Sequence, residues 1–172
     1  MRGRHRLGSY LLAVAGATTL LADAPLRPPH RYTTCSPSGA ACATSDPEAG
    51  TFGHPRDRPD AEPGWRIPRW FRVLYVADDG AHAVTGHDGL LAPVDDPAAT
   101  VVVVFWKDGE RVASHTLANL GYTRRDLRRT VSHYFWGDYQ GWDEEGRFRL
   151  AMVDGATLVF DVATGELLRR ER

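Results

Sequence analysis

The segment 133–142 holds the densest group of side chains that could bind a ligand or take part in chemistry. Five aromatic residues and one histidine lie within these ten positions. Aromatic rings stack on sugar rings and on protein partners, and the polar tips of tyrosine and tryptophan suit half-wet surfaces. An alternative is that Phe135 and its neighbours close the open end of a sheet as ordinary core residues. We predict an aromatic binding surface made by His133, Tyr134, Trp136, Tyr139 and Trp142.

Catalytic motifs are weak in this sequence. Ser132 and His133 are adjacent, but a working pair needs side chains that converge in space, which adjacency does not provide. The chain has no Gly-x-Ser-x-Gly motif and no glycine-rich phosphate loop. A non-enzymatic role is therefore our first expectation. The rival hypothesis is a small envelope hydrolase in which His133 acts with a nearby carboxylate such as Asp138.

Metal-ligating residue types occur, but their spacing is poor. His82 and His87 have opposite parity, so on a strand their side chains point to opposite faces, and a turn would be needed to join them to Asp88. Acidic residues at 138, 143, 144 and 145 could bind calcium through oxygen atoms, yet they fit no known calcium loop. We predict no metal and no cofactor.

Cys35 and Cys42 are the two cysteines of the chain, and in an exported protein they favour a disulfide. The turn between them complicates this prediction. A three-residue hairpin loop at 37–39 would place Cys35 opposite Ala41, and Cys42 would then point to the other side of the ladder. A bridge needs another loop register or a bulge, because the two Cα atoms must come within about 7 Å. The alternative is two small buried thiols.

The amino terminus has the order of a secretory leader. Three arginines within residues 1–6 precede an uncharged, mostly apolar run from Leu7 to Ala22. We predict that residues 1–24 are a signal peptide or a short anchor, since the run would extend about 24 Å as a helix. The protein is then exported, to the periplasm or the extracellular space. A buried or disordered cytosolic segment is the remaining alternative.

Composition argues against a nucleic-acid partner. The formal net charge is −1, so no broad field attracts polyanions. Lys107, Asn119 and Ile67 are each the single residue of their type. All three types have A/T-rich codons, which indicates a high-GC genome, and arginine pairs such as 128–129 then carry little weight as a phosphate-binding signal. We expect an envelope protein or a glycan as partner, with membrane contact only through an uncleaved leader; the oligomeric state stays open.

Repeated turns ending in glycine predict the fold class. From residue 30 onward such turns alternate with short runs rich in Val, Leu, Phe, Tyr and Trp. We predict a mainly β fold, an antiparallel meander or sandwich built from hairpins with one short helix, forming a single domain over 25–172. Five prolines punctuate 47–68, where apolar periodicity is missing, so this segment is expected to be a mobile proline-rich loop.

One hairpin can be predicted in register. Apolar residues alternate over 148–152 and again over 156–162, which indicates two strands with one buried face each. A two-residue turn at 154–155 would place the two apolar sets on opposite faces. A three-residue loop at 153–155 instead opposes Leu150 to Leu158 and Phe148 to Phe160, so that both sets are buried together.

Three further elements are predicted. The runs 70–77 and 100–106 are apolar on both faces, as expected of strands covered on each side, and the second should be paired on both edges. Thr123 can cap a helix over Arg124–Val131, with Asp126 three residues on. This helix of about two turns would have to dock to be stable. Leu127 and Val131 would face the sheet, and the arginines between them would form a solvated cationic face.

The tail Asp-Gly-Ala-Thr-Leu-Val-Phe-Asp-Val-Ala-Thr-Gly over 154–165 resembles the outer hairpin of a β-propeller blade, and the Ser-Pro-Ser-Gly turn at 36–39 resembles a turn of the same repeats. The stretch 35–165, with Trp-Phe-Arg, Asp-Asp-Gly and Ser-His-Tyr-x-Trp-Gly, resembles uncharacterised exported bacterial β-rich proteins. That resemblance implies no known activity. A closed propeller needs at least four blades of about 40 residues, and this chain has room for roughly three, so we do not expect one.

These observations point to an exported, non-enzymatic binding or structural module of the bacterial envelope. The aromatic segment 133–142 is its expected contact surface, with the proline-rich loop as a possible cover. A folded spacer without a specific ligand is a further alternative.

Overall fold

The computed structural model describes residues 26–59 and 61–172, and it confirms the predicted mainly β class. The predicted leader at 1–24 lies outside the described residues. All strands pair antiparallel in four sheets, and they close into neither a barrel nor a propeller. Within the described residues, no helix has the length and apolar character needed to cross a bilayer.

Three of the sheets have four strands each. The first has the order β1-β2-β3-β4, the second β5-β6-β8-β9 and the third β12-β13-β14-β15. The first consists of β1 (Tyr32–Cys35), β2 (Ala41–Asp46), β3 (Gly50–Pro55) and β4 (Trp65–Ile67). The second consists of β5 (Leu74–Val76), β6 (His82–Gly86), β8 (Val101–Lys107) and β9 (Glu110–Thr116). The third consists of β12 (Gly137–Trp142), β13 (Phe148–Met152), β14 (Thr157–Phe160) and β15 (Leu167–Glu171).

A small sheet and two short helical turns complete the described fold. The small sheet has the order β10-β11-β7, with β7 (Leu91–Ala92), β10 (Arg128–Arg129) and β11 (Tyr134–Phe135). The 3-10 turns are η1 (Pro97–Ala99), between β7 and β8, and η2 (Arg124–Asp126), just before β10.

The second sheet lies between two hydrophobic clusters. Successive residues of β6 point to opposite sides, so Val84 joins the larger cluster and Ala83 the smaller one. In β8, Phe105 packs on Phe148 and Phe160 of the third sheet, with ring centroids 6.3 and 5.4 Å apart. Coverage on both sides and pairing of β8 with β6 and β9 are as predicted for the run 100–106.

The predicted hairpin over 148–162 is confirmed. Phe148 lies opposite Phe160, and Leu150 lies opposite Leu158. The backbone N–H of Met152 donates to the carbonyl of Ala156 at 2.7 Å, which closes the three-residue loop. All the apolar residues of this set are buried, as the one register that joins the two apolar faces requires.

The disulfide between Cys35 and Cys42 is present, with the two Cα atoms 3.9 Å apart. The loop has four residues, 37–40, rather than three, since the N–H of Ser36 donates to the carbonyl of Ala41 at 2.8 Å. This register places the two cysteines directly opposite each other in β1 and β2. The bridge is compatible with an oxidising, exported location.

Two predicted elements need correction. The predicted helix over Arg124–Val131 does not form. Thr123 and Asp126 form the predicted capping box, but the helical turn ends at Asp126. The chain then becomes extended because Arg128 and Arg129 pair with β11. Part of the segment 47–68 forms β3 and β4 instead of a loop, so the connection between them spans only 56–64. Pairing with β2 satisfies the backbone hydrogen-bonding groups of β3, although its side chains show no apolar alternation.

Candidate functional site

Two of the five residues of the predicted aromatic surface lie in the core. Trp136 is fully buried between β11 and β12, with its ring 5.2 Å from that of Tyr139. Tyr134 is also buried. A buried indole cannot stack on a ligand, so the predicted surface needs correction at these two positions. The indole N–H of Trp136 is buried and has no hydrogen-bond partner among the described residues.

Tyr139 and Trp142 join sheets together. The hydroxyl of Tyr139 donates to the carbonyl of Val102 and accepts the backbone N–H of His87, both at 2.7 Å. Burial raises the pKa of this hydroxyl. The Trp142 ring packs edge-on against that of Tyr75 on β5, with the ring centroids 6.5 Å apart. These contacts make the segment a brace between the second and third sheets.

His133 and Asp138 are not brought together by a hydrogen bond. The His133 ring contacts the hydroxyl of Ser132 at 2.9 Å, on the exposed turn before β11. The Asp138 carboxylate accepts the backbone N–H of Tyr139 at 2.7 Å.

The other candidate metal-ligating residues stabilise turns through side-chain contacts. His82 contacts the Asp79 carboxylate through Nδ1 at 2.6 Å. The Asp143 carboxylate accepts both the side chain and the backbone of Arg147, at 2.8 and 2.9 Å, and these bonds help to keep its pKa below the usual range. Within the described ranges, no three metal-ligating side chains converge.

A cleft of about 500 Å³ lies beside β6 and β8. Three chain segments form it: 69–72 before β5, the end of β6 with 85–88, and the η1 loop with 93–101. Its lining is mixed, with apolar walls and a few charged groups, which is the usual composition of a ligand site. The polar and aromatic residues of its lining include Arg69, Trp70, Arg72, His87, Asp88, Asp96 and Thr100.

The two arginines at the cleft differ in whether they form an ion pair. Arg72 forms an ion pair with Asp88, and its guanidinium lies 5.0 Å from the centre of the Trp70 ring. Arg69 stacks over Phe71 at 5.4 Å and has no carboxylate partner within residues 26–59 and 61–172. Arg69 is therefore an exposed cation held by an aromatic ring. The cleft also contains Asp96, whose carboxylate accepts the backbone N–H of Ala99.

His87 presents a neutral ring at the cleft. Burial lowers its pKa below the usual value, so the imidazole carries no charge at neutral pH. Its backbone is fixed by two bonds, to the hydroxyl of Tyr139 and to the carbonyl of Val102. A neutral imidazole can donate with one nitrogen and accept with the other.

Thr100 contributes an unpaired polar atom. The residue is only 7% exposed, and its Oγ1 is buried without a hydrogen-bond partner. Its backbone is satisfied, since its N–H donates to the carbonyl of Pro97 at 3.2 Å in the η1 turn. Orphaned hydroxyls of this kind are uncommon in folded proteins and call for an explanation.

Replacing Thr100 with valine is expected to raise the free energy of unfolding by about 1 kcal/mol, because the same shape then buries no unsatisfied hydroxyl. The matched control is Thr85→Val. Thr85 is also buried, but its Oγ1 accepts the indole N–H of Trp106 at 2.9 Å. That variant should lose about 1–2 kcal/mol. Urea denaturation measures both, and destabilisation by Thr100→Val would show that its hydroxyl has a partner within the fold.

Sequence reasoning missed the cleft. Its residues come from three separated segments, and Arg72 and Asp88 lie sixteen positions apart. The run 70–77 looked like a strand, yet only Leu74–Val76 is one, and the residues before it form the wall of the cleft. No local sequence pattern indicates such a site. Comparison with protein-family models found no match, and comparison with curated proteins found none either.

Proposed function

We propose that this protein is an exported, non-enzymatic binding module of the bacterial envelope and that the cleft beside β6 and β8 holds its ligand. The observation that carries the proposal is the presence, in one concave site, of the exposed guanidinium of Arg69 beside the half-buried ring of Trp70. A cation next to an aromatic ring in a cleft is a combination that suits ligand binding.

The chemistry of the cleft favours an acidic glycan. The exposed guanidinium of Arg69 matches a carboxylate, which it can bind through two N–H groups. The half-buried Trp70 and the apolar walls suit the faces of sugar rings. One nitrogen of the His87 ring bonds the Leu91 backbone, and the other can bond a sugar hydroxyl.

Export is supported by the leader-like order of residues 1–24 and by the disulfide between Cys35 and Cys42. Acidic glycans are available to a protein outside the cytoplasm, so the location and the proposed ligand agree.

Titration calorimetry with trigalacturonate and neutral maltotriose tests the proposal. We expect the acidic trisaccharide to bind and the neutral one not to bind measurably. Arg69→Gln should weaken binding at least about tenfold, because a charge-assisted pair is worth about 1.5–3 kcal/mol. The matched control is Arg111→Gln, which removes an equally exposed arginine from β9, outside the cleft.

Three outcomes would contradict the proposal. Equal weakening by both variants would show a general charge effect, and absence of binding by the wild-type protein would favour the spacer alternative. Shorter products after incubation with trigalacturonate would show that the protein is a hydrolase rather than a binding module.

A further inference from the structure

Three hydroxyl side chains form one row across the inner face of the first sheet. In the register of that sheet, Tyr32 lies opposite Ser45, and Ser45 lies opposite Thr51. Directly opposite residues of paired strands point to the same side. That side faces the smaller hydrophobic cluster, because the next member of the row is Ile67, which belongs to this cluster. We call Tyr32, Ser45 and Thr51 the hydroxyl row.

Polar side chains at these inward positions are costly unless they find partners. Ser45 and Thr51 are fully buried. Tyr32 is partly buried, and burial raises the pKa of its hydroxyl to about 12, so it remains a donor at neutral pH. A buried hydroxyl without a hydrogen bond destabilises a fold, whereas an apolar side chain at the same place needs no partner. The hydroxyl row therefore depends on the groups that it contacts.

The partners of the hydroxyl row are main-chain groups of the connection between β4 and β5, which has no regular secondary structure. Thr51 donates its hydroxyl to the carbonyl of Arg69 at 2.8 Å. Ser45 accepts the N–H of Phe71 and donates to its carbonyl, both at 2.9 Å. Tyr32 donates to the same carbonyl at 2.8 Å. Since the connection belongs to none of the described sheets, these hydroxyls supply hydrogen bonds that a neighbouring strand would otherwise provide.

The connection that the hydroxyl row holds carries two side chains of the proposed glycan site. The lining of the cleft includes Arg69 and Trp70 but no member of the row. The row can therefore affect the cleft only through the main chain, which sets where both side chains begin. The Trp70 ring is held from outside as well, since its indole N–H donates to the carbonyl of His30 at 3.0 Å.

We propose that Tyr32, Ser45 and Thr51 are positioning residues of the cleft, whose hydrogen bonds hold Arg69 and Trp70 in the orientation that binds the acidic glycan. This role rests on the proposed function of the cleft and gives the first sheet a part in it. Preorganised groups lose less conformational entropy on binding, so affinity depends on what holds them as well as on their charge. The role also accounts for hydroxyls at buried positions of β2 and β3 where apolar side chains would need no partner.

Titration calorimetry of Thr51→Val with trigalacturonate tests the proposal. This variant keeps the shape of the side chain and removes its hydroxyl, so the Arg69 carbonyl loses its partner. We expect the affinity to fall about fivefold, because the arginine and its neighbours must then be ordered during binding. Thr51→Ser keeps the hydroxyl and should bind within about twofold of the wild type.

Thr44→Val is the matched control. Thr44 is a buried threonine of the same sheet, but its hydroxyl lies on the opposite face of β2 and contacts Thr33 and His54 at 2.8 and 3.1 Å. Urea denaturation should show a similar loss of stability in both valine variants, yet only Thr51→Val should lose affinity. Equal affinity of the two variants would show that the hydroxyl of Thr51 is structural and would overturn the proposal.

A double-mutant cycle separates positioning from an indirect loss of folded protein. If Thr51 acts through Arg69, adding Thr51→Val to Arg69→Gln should weaken binding by less than about twofold, instead of about fivefold. A full fivefold effect in the Arg69→Gln background would contradict the proposal.

Tyr32→Phe is a second variant whose fold should be intact, because it removes one hydroxyl from a partly buried ring and Ser45 still bonds the Phe71 carbonyl. It should weaken binding about two- to threefold. Undiminished affinity of Thr51→Val and Tyr32→Phe, with binding by the wild type intact, would overturn this inference alone. Absence of trigalacturonate binding by the wild type would overturn the proposed function and this inference together.

Discussion

The Trp136→Ala variant is expected to lose about 3–5 kcal/mol of unfolding free energy. Trp136 is the largest fully buried side chain of the described fold, and its ring packs edge-on against Tyr139. Removing it leaves a cavity that the surrounding strands cannot fill, since protein interiors are packed to crystal-like density. Urea denaturation followed by circular dichroism measures the change.

Trp70→Ala is the matched control for this prediction. Trp70 is partly exposed at the cleft, so its loss should cost no more than about 1–2 kcal/mol. The same variant should weaken binding of trigalacturonate, whereas a core tryptophan affects binding only through stability. If Trp136→Ala were as stable as the wild type, the indole would have to lie outside the core, and the aromatic-surface interpretation of 133–142 would return.

The Gly165→Ala variant is expected to lose about 2–4 kcal/mol, which combines backbone strain and overpacking. Gly165 has φ of +72°, where a side chain is disfavoured. An added Cβ would also lie 2.4 Å from the Cβ of Ala113 and 3.0 Å from the Phe105 ring. The same turn presents the Gly165 carbonyl to Nε2 of His115 at 2.7 Å, so any shift disturbs a second contact.

Variants at two other glycines separate the effect of backbone strain from that of overpacking. Gly155 has φ of +84° with nothing within 4 Å of an added Cβ, so Gly155→Ala should cost about 1 kcal/mol from the backbone alone. Gly64 has no such restriction and open space around it, so Gly64→Ala should be neutral or slightly stabilising. Equal losses for Gly165→Ala and Gly155→Ala would show that the turn can move away from Phe105. Thermal unfolding of the three variants decides this.

Packing between sheets connects stability with the candidate site. The hydroxyl of Tyr139 on β12 accepts the backbone N–H of His87 and donates to the carbonyl of Val102, so the third sheet fixes the wall of the cleft. The aromatic segment that looked like a contact surface therefore positions residues of another sheet, at the wall of the proposed ligand cleft.

Local patterns predicted the features that depend on neighbours in the chain. The alternation over 148–152 and 156–162 left one register that buries both apolar sets, and that register forms. The capping box of Thr123 with Asp126 also forms. The two cysteines pair because a four-residue loop brings Cys35 opposite Cys42, but loop length was not determined by the residues of the turn.

Features that depend on which distant segment a residue packs or pairs with could not be predicted in this way. A capped turn at 124–126 is compatible with a helix or with a strand after it, and pairing with β11 decided for the strand. Aromatic residues suit a surface or a core equally well, and the position of β12 against the second sheet placed Trp136 inside.

The sequence by itself determined the mainly β class, the hairpin register and the pairing potential of the cysteines, because turn chemistry and side-chain alternation act over a few residues. Only the tertiary structure decided where the aromatic rings lie and that three distant segments form a cleft. These features depend on which sheets face each other, and that is set by the summed burial of many side chains rather than by any local pattern.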